Sequence, residues 1–212
     1  VISSFLRPHQ CVVAADTGHI NVHETGAVEA TGHKVVNVPG VDGKLTPEHI
    51  QGVIDTHESE HMVKPKMIYI SNSSELGSIY TKSELQAIRE ICLKNNLLLY
   101  MDGARIGTAL TCSANDLSIE EIARYVDVFY IGGTKNGALL GEALVLCKEE
   151  LKEDFRYLMK QRAAMPAKGF ILGMQFEALM QDGLYLSLAA HANAMAEKVS
   201  DIFREKGYDF YA

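Results

Sequence analysis

Short runs of uninterrupted apolar residues alternate along this chain with longer stretches in which apolar positions recur every three or four residues. The runs are CVVAA (11–15), KVVNV (34–38), MIYIS (67–71), LLLYM (97–101), VDVFYIG (126–132) and EALVLC (142–147). Each has the length of a strand and is too continuously apolar for one face to meet water, which is the pattern of a strand covered on both sides. Between them TPEHIQGVIDTHESE (46–60), TKSELQAIREICLKNN (81–96) and SIEEIARYV (118–126) carry helical spacing. Thr46, Thr81 and Ser118 stand where an N-cap oxygen is wanted. Glu84, Glu120 and Glu121 fall in first turns, where a carboxylate meets the positive end of the helix dipole. Strand–helix alternation predicts an α/β fold, a mostly parallel sheet with helices on both faces.

From about residue 149 the strand pattern stops, and LKEDFRYLMKQR and the segment through LYLSLAAHANAMAEKVSDIFREKG read as helical. The opening VISSFLRPHQ has neither a charged leader nor a long apolar core nor a starting Met, so it reads as a cut end. The closing GYDFYA reads as a strand about to begin, and so as a second cut. The expected organisation is one unit over 1–180, followed over 181–212 by a connecting helix and the start of a further, smaller domain. Across the 212 residues the formal charge is −7, which disfavours a nucleic-acid or anionic-membrane partner. No apolar stretch is long enough to span a bilayer. Cys11, Cys92, Cys112 and Cys147 form no CxxC pair and read as reduced, buried thiols of a cytosolic protein.

In open α/β sheets, ligands gather beyond the carboxyl ends of the strands. That edge collects Asp16 to His19 after the first run, Asn72 and Ser73 after the third, Asp102 after the fourth and Lys135 in the glycine-rich turn GGTKNG after the fifth. A carboxylate ending a buried strand is costly unless it is paired or employed. Two readings stand for Asp102 and Lys135. In one, Asp102 caps its turn and pairs with Arg105 while Lys135 is solvated. In the other they serve pyridoxal phosphate, which needs a lysine for its aldehyde and an acid opposite its ring nitrogen. A lysine amine of ordinary pKa ~10.4 must be shifted downward to be a nucleophile, and desolvation beside Arg105 would do so. HESEH (57–61) matches H-E-x-x-H, but it is polar, ends a helix and runs into Pro65, so a solvated helix end is the expectation and no metal is assigned. GGTKNG lacks the ending of a P-loop, and neither G-x-G-x-x-G at a helix start nor G-x-S-x-G is found.

Taken in order, ADTGHINVHETGA, SNSSELGSIYT, LYMDGARIG and YIGGTKNGALLGEALV resemble the low-specificity threonine aldolases, within the β-eliminating lyase group of pyridoxal-phosphate enzymes. The resemblance runs through nearly the whole chain. It implies the large domain of a fold-type-I pyridoxal-phosphate enzyme, the aspartate-aminotransferase fold. It also implies cleavage of the Cα–Cβ bond of L-threonine or L-allo-threonine to glycine and an aldehyde, with β-elimination, racemisation and transamination as alternatives. A non-catalytic binding module is the alternative of another class. By resemblance, Lys135 anchors the cofactor, Asp102 faces the pyridine nitrogen and His19 stacks on the ring. Arg105 reaches the phenolic oxygen or the substrate carboxylate, Thr134 and Asn72 support the cofactor, and Gln161 and Arg162 lie near its phosphate. His19 and Lys135 are the catalytic candidates. Where many family members carry E-N-T-H-N, this chain reads SNSSE, with Ser74 at the histidine's place. A small-molecule amino-acid substrate, a homodimer or homotetramer and a cytoplasmic site of action complete the expectation.

Overall fold

The structure, a computed structural model, describes residues 1–210. Six strands form one sheet in the order β2-β1-β3-β4-β5-β6. They are β1 (Gln10–Ala15), β2 (Val35–Val38), β3 (Lys64–Ser71), β4 (Leu98–Asp102), β5 (Val128–Ile131) and β6 (Ala143–Leu146). The first five run parallel, and β6 returns antiparallel beside β5. All five parallel strands therefore end on the same edge, where Ser71 of β3 lies in register with Asp102 of β4.

Period-two alternation sorts the strand side chains between two apolar clusters. Val13, Ile68, Leu99, Met101 and Phe129 face one side. There they meet Ile50 and Val53 of α2 (Pro47–Thr56), Leu85 and Ile88 of α3 (Lys82–Lys94), and Ile122. Val12, Ala14, Met67, Tyr69, Tyr100 and Val128 face the other side, against Ile2, Ile20 and Val28. The two faces are covered unequally. The first lies under long helices. The second lies under short pieces, chiefly a 3-10 turn (Ile2–Ser4), the four-residue α1 (His19–Val22) and the loop after it.

The helices start where capping chemistry places them. Thr46, Thr81 and Ser118 each accept an N–H from the third helical residue, and His49, Glu84 and Glu121 return a bond to the cap. α2 stops at Thr56, short of the predicted end. His57 caps it, with its Nδ1 2.9 Å from the Val53 carbonyl, and HESEH lies past the helix in turns. The two histidines therefore do not share a helical face. Two short helices, α4 (Ile106–Thr111) and α5 (Ile119–Tyr125), both lie in the connection from β4 to β5.

After β6 come α6 (Phe155–Gln161), α7 (Phe170–Met180) and α8 (Leu184–Glu205). Asp182 and Gly183, both at positive φ, separate the last two. α8 begins against the sheet domain, with Tyr185 and Ala189 buried and Asn193 Nδ2 donating to the Thr108 carbonyl of α4 at 3.0 Å. Residues 208–210 are not in a strand, and the end of the strand expected at GYDFYA lies outside the described residues.

Candidate active site at the strand ends

Asp102 is nearly buried, and every polar neighbour of its carboxyl group is a donor. The Tyr130 hydroxyl and the Ala104 amide (2.9 Å) donate to Oδ1, and the Tyr69 hydroxyl donates to Oδ2. Both tyrosines are held well above the usual phenol range, first by burial and then by the charge of Asp102, so they stay protonated and go on donating. Asp102 does cap its turn, but its partners are tyrosines. Arg105 is exposed at the start of α4 and makes no ion pair among the described residues.

The lysine turn is bolted to this strand end through backbone. The Gly132 amide donates to the Gly103 carbonyl at 2.9 Å. Behind it the Tyr185 hydroxyl donates to the Gly132 carbonyl at 2.8 Å, and Asn136 Nδ2 donates to the Tyr185 carbonyl at 2.8 Å. In front, Glu142 accepts from the Gly133 amide and, at 3.0 Å, from the Thr134 hydroxyl. Lys135 is left exposed at the apex of a fixed turn, and Thr134 is committed to Glu142.

Across the edge, His19 opens α1. Its amide donates to Glu75 Oε1 at 2.9 Å, and Ser71 Oγ donates to the same oxygen at 2.7 Å, tying the loops after β1 and β3 together. The imidazole Nδ1 pairs with Glu24 at 2.6 Å. Asn72 is buried, with its amide bonded to the Asp102 carbonyl at 2.9 Å and its side-chain oxygen accepting from the Tyr80 amide. Ser74 is turned away into a loop network with Ser78 and the Asp42 carbonyl. Gln161 and Arg162 close α6, and both are exposed. Arg162 borders a cavity of about 570 Å³ shared with Tyr100, Tyr130 and Glu142, whose lining does not include Lys135.

Sequence reading missed Tyr69, Tyr130, Tyr185, Glu75 and Glu142. Only the strand register brings two of them to Asp102: Tyr100 stands two residues before Asp102 and so on the same face, Tyr69 is its register partner, and Tyr130 lies two beyond Val128, the register partner of Tyr100.

The residue set fits a flat cationic heteroaromatic cofactor. Asp102 lines a cavity of about 290 Å³ walled by Tyr69, Tyr100, Tyr130, Ile20 and Glu24. Of the four acceptor positions of its carboxylate three are taken, leaving one on Oδ2. Beside His19, the Thr17 hydroxyl is buried without a partner, as a group awaiting a ligand would be.

A family model described as beta-eliminating lyase matches residues 1–210. The chain belongs to the beta-eliminating lyase family. Among curated family relatives, a low-specificity L-threonine aldolase from Pseudomonas sp. (strain NCIMB 10558) is 35% identical over 206 residues, covering 95% of this chain and 59% of the relative. Another from Pseudomonas aeruginosa is 34% identical, covering 95% and 60%. The chain thus spans about 60% of the length of these relatives. A solved structure of a threonine aldolase from Leishmania major superposes with a TM-score of 0.95 at 49% identity, covering 97% of this chain and 60% of that one. An aspartate aminotransferase variant from Thermus thermophilus superposes at 0.74 with 16% identity, over 96% of this chain and 52% of that one, and so shares the fold.

Proposed function

We propose that this chain is the cofactor-binding part of a pyridoxal-phosphate lyase that cleaves the Cα–Cβ bond of L-threonine-type β-hydroxy amino acids, giving glycine and an aldehyde. The observation that carries the reading is the backbone bond from Gly132 to Gly103, which fixes a lysine turn against a buried strand-end aspartate in a chain of this family. Lys135 would supply the amine that holds the cofactor aldehyde, and Asp102 would accept the ring N–H. His19 would lie over the ring, with Thr134 and Asn72 holding the walls around it. Arg105 would take the phenolic oxygen or the substrate carboxylate, and Arg162 the phosphate. Bound there, the cofactor supplies an electron sink for the charge left on Cα when a bond to it breaks.

The chain's own contribution is placement. Asp102, buried and held by three donors, keeps a fixed acceptor at the strand end, where an ionic hydrogen bond is stronger than in water. His19, its Nδ1 engaged by Glu24, has Nε2 left to exchange a proton with a substrate hydroxyl. Residues 181–212 would lead towards a smaller domain, the division falling at the left-handed pair Asp182 and Gly183.

Leu139 is 89% exposed beside the lysine, and Phe170 and Met174 of α7 are exposed as well, which supports a homodimer or homotetramer covering this face. Light scattering on the purified protein checks it, and a monomer at micromolar concentration would refute it. No helix among the described residues is long and apolar enough to cross a membrane. A cytoplasmic site of action is part of this proposal, and cell fractionation tests it.

The deciding experiment is reduction with borohydride after mixing with pyridoxal phosphate, then peptide mapping. Selective labelling of Lys135 is expected, and labelling scattered over surface lysines would sink the proposal. Glycine and aldehyde from L-threonine or L-allo-threonine would establish the reaction. A second reading has one observation behind it: a relative named alanine racemase TOXG, from Cochliobolus carbonum, is 24% identical over 198 residues. Interconversion of alanine enantiomers without glycine would favour it.

A further inference from the structure

We propose that Tyr69 and Tyr130 are positioning residues of this site: their hydroxyls fix the Asp102 carboxylate so that one lone pair of Oδ2 alone is offered to a cationic ring N–H. The inference rests on the cofactor reading above and adds to it the two groups through which the aspartate is aimed.

The geometry distributes the donors unevenly. Oδ1 takes Tyr130 from β5 and the Ala104 amide from its own turn, which saturates it. Oδ2 takes Tyr69 from β3 and nothing else among the described residues. The tyrosines stand on the strands to either side of β4, so the carboxylate is braced from both neighbours in the sheet and cannot rotate without losing a bond. Both rings line the same cavity as Asp102. Tyr100 is the internal control. It lies between them on the same face, packs edge-on to Tyr69 with centroids 5.6 Å apart, and lines the cavity, yet its hydroxyl does not reach Asp102. Burial keeps Tyr69 and Tyr130 in the protonated, donating form. An unbraced carboxylate would sample several rotamers, and each binding event would then include the cost of fixing it.

The test separates aiming from simple packing. Pyridoxal phosphate and an analogue with C–H in place of the ring nitrogen are titrated, by absorbance, into the purified protein and its Tyr69→Phe, Tyr130→Phe and Tyr100→Phe variants. The wild type should prefer the nitrogen-containing ring. Each of the first two variants should lose about tenfold of that preference, because the analogue never used Asp102 and binds as before. Tyr100→Phe should keep the full preference. Equal weakening of both ligands, or an unchanged preference in Tyr69→Phe and Tyr130→Phe, overturns the positioning role while leaving the cofactor site standing. A wild type that binds neither ligand overturns the cofactor reading and this inference with it, whereas one that binds both equally overturns the Asp102 contact and this inference alone. If one variant fails to fold, by circular dichroism, the other still decides.

Discussion

Gly103 and Gly132 touch backbone to backbone, and neither has room for a side chain. A Cβ on Gly103 would sit 2.0 Å from the Tyr130 carbonyl oxygen, and one on Gly132 would sit 2.1 Å from the Ala104 carbonyl oxygen. Because the obstacle in each case is backbone, relief requires the two turns to separate, breaking the bond that couples Asp102 to the lysine turn. Gly103→Ala and Gly132→Ala should each destabilise the protein by about 3 kcal/mol in urea unfolding. Gly52 is the contrast. It lies in α2 with open space around its Cβ position, so Gly52→Ala should stabilise by about 0.5–1 kcal/mol.

The front of the lysine turn depends on one side chain. Glu142 accepts from both the Gly133 amide and the Thr134 hydroxyl, and no other partner for that amide is described. Glu142→Ala should raise hydrogen exchange at Gly133 by about tenfold or more, with exchange in β4 unchanged. Lys135 should then be trapped less selectively by borohydride. Unchanged exchange at Gly133 would show that Tyr185 and Asn136, from behind, hold the turn alone.

The strand ends were legible in the sequence because buried parallel strands announce themselves as unbroken apolar runs, and the residue after each run falls on the ligand edge. Thr46, Thr81 and Ser118 were legible too, since a capping box is local. What stayed hidden is contact between strands distant in sequence. Nothing local pairs Asp102 with Tyr69 and Tyr130, and Arg105, three residues away, is the more obvious partner on charge alone. Ser74 was read at the place of a family histidine, but its hydroxyl is spent on Ser78 and the Asp42 carbonyl. Its neighbour Glu75 reaches the His19 loop instead.

Burial silences two thiols. It pushes Cys11 up to about 11 and Cys92 up to about 12, the nearby Asp127 charge adding to the second. Both lie above the ordinary thiol value of 9.0, so at pH 8 each is overwhelmingly the unreactive thiol in the folded chain. Iodoacetamide at pH 8 should modify half-exposed Cys112 first and reach Cys11 and Cys92 only on unfolding. The linkage has a definite sign. Below pH 9 both folded and unfolded thiols are neutral, and stability is indifferent to pH through them. Above it the unfolded chain ionises first, so stability should fall as pH rises from 9 through 11 to 12. A urea midpoint unchanged between pH 8 and 10.5 would contradict this.

His19 and Glu24 make a partly solvated pair, 2.6 Å apart, with the two side chains 36% and 44% exposed. At that exposure the pair adds little to stability, so Glu24→Ala should move the melting temperature by no more than about 2 °C. Its effect should be on orientation. A carboxylate at Nδ1 selects the tautomer carrying its proton there and presents Nε2 outward as the free acceptor. Glu24→Ala should therefore release the ring, shift the imidazole towards the opposite tautomer in 15N NMR, and weaken pyridoxal-phosphate binding about threefold. Glu24→Gln keeps an acceptor oxygen at the same reach and should restore most of the loss. A variant that melts well below the wild type while leaving the tautomer unchanged would mark Glu24 as a structural prop of α1 with no part in aiming His19.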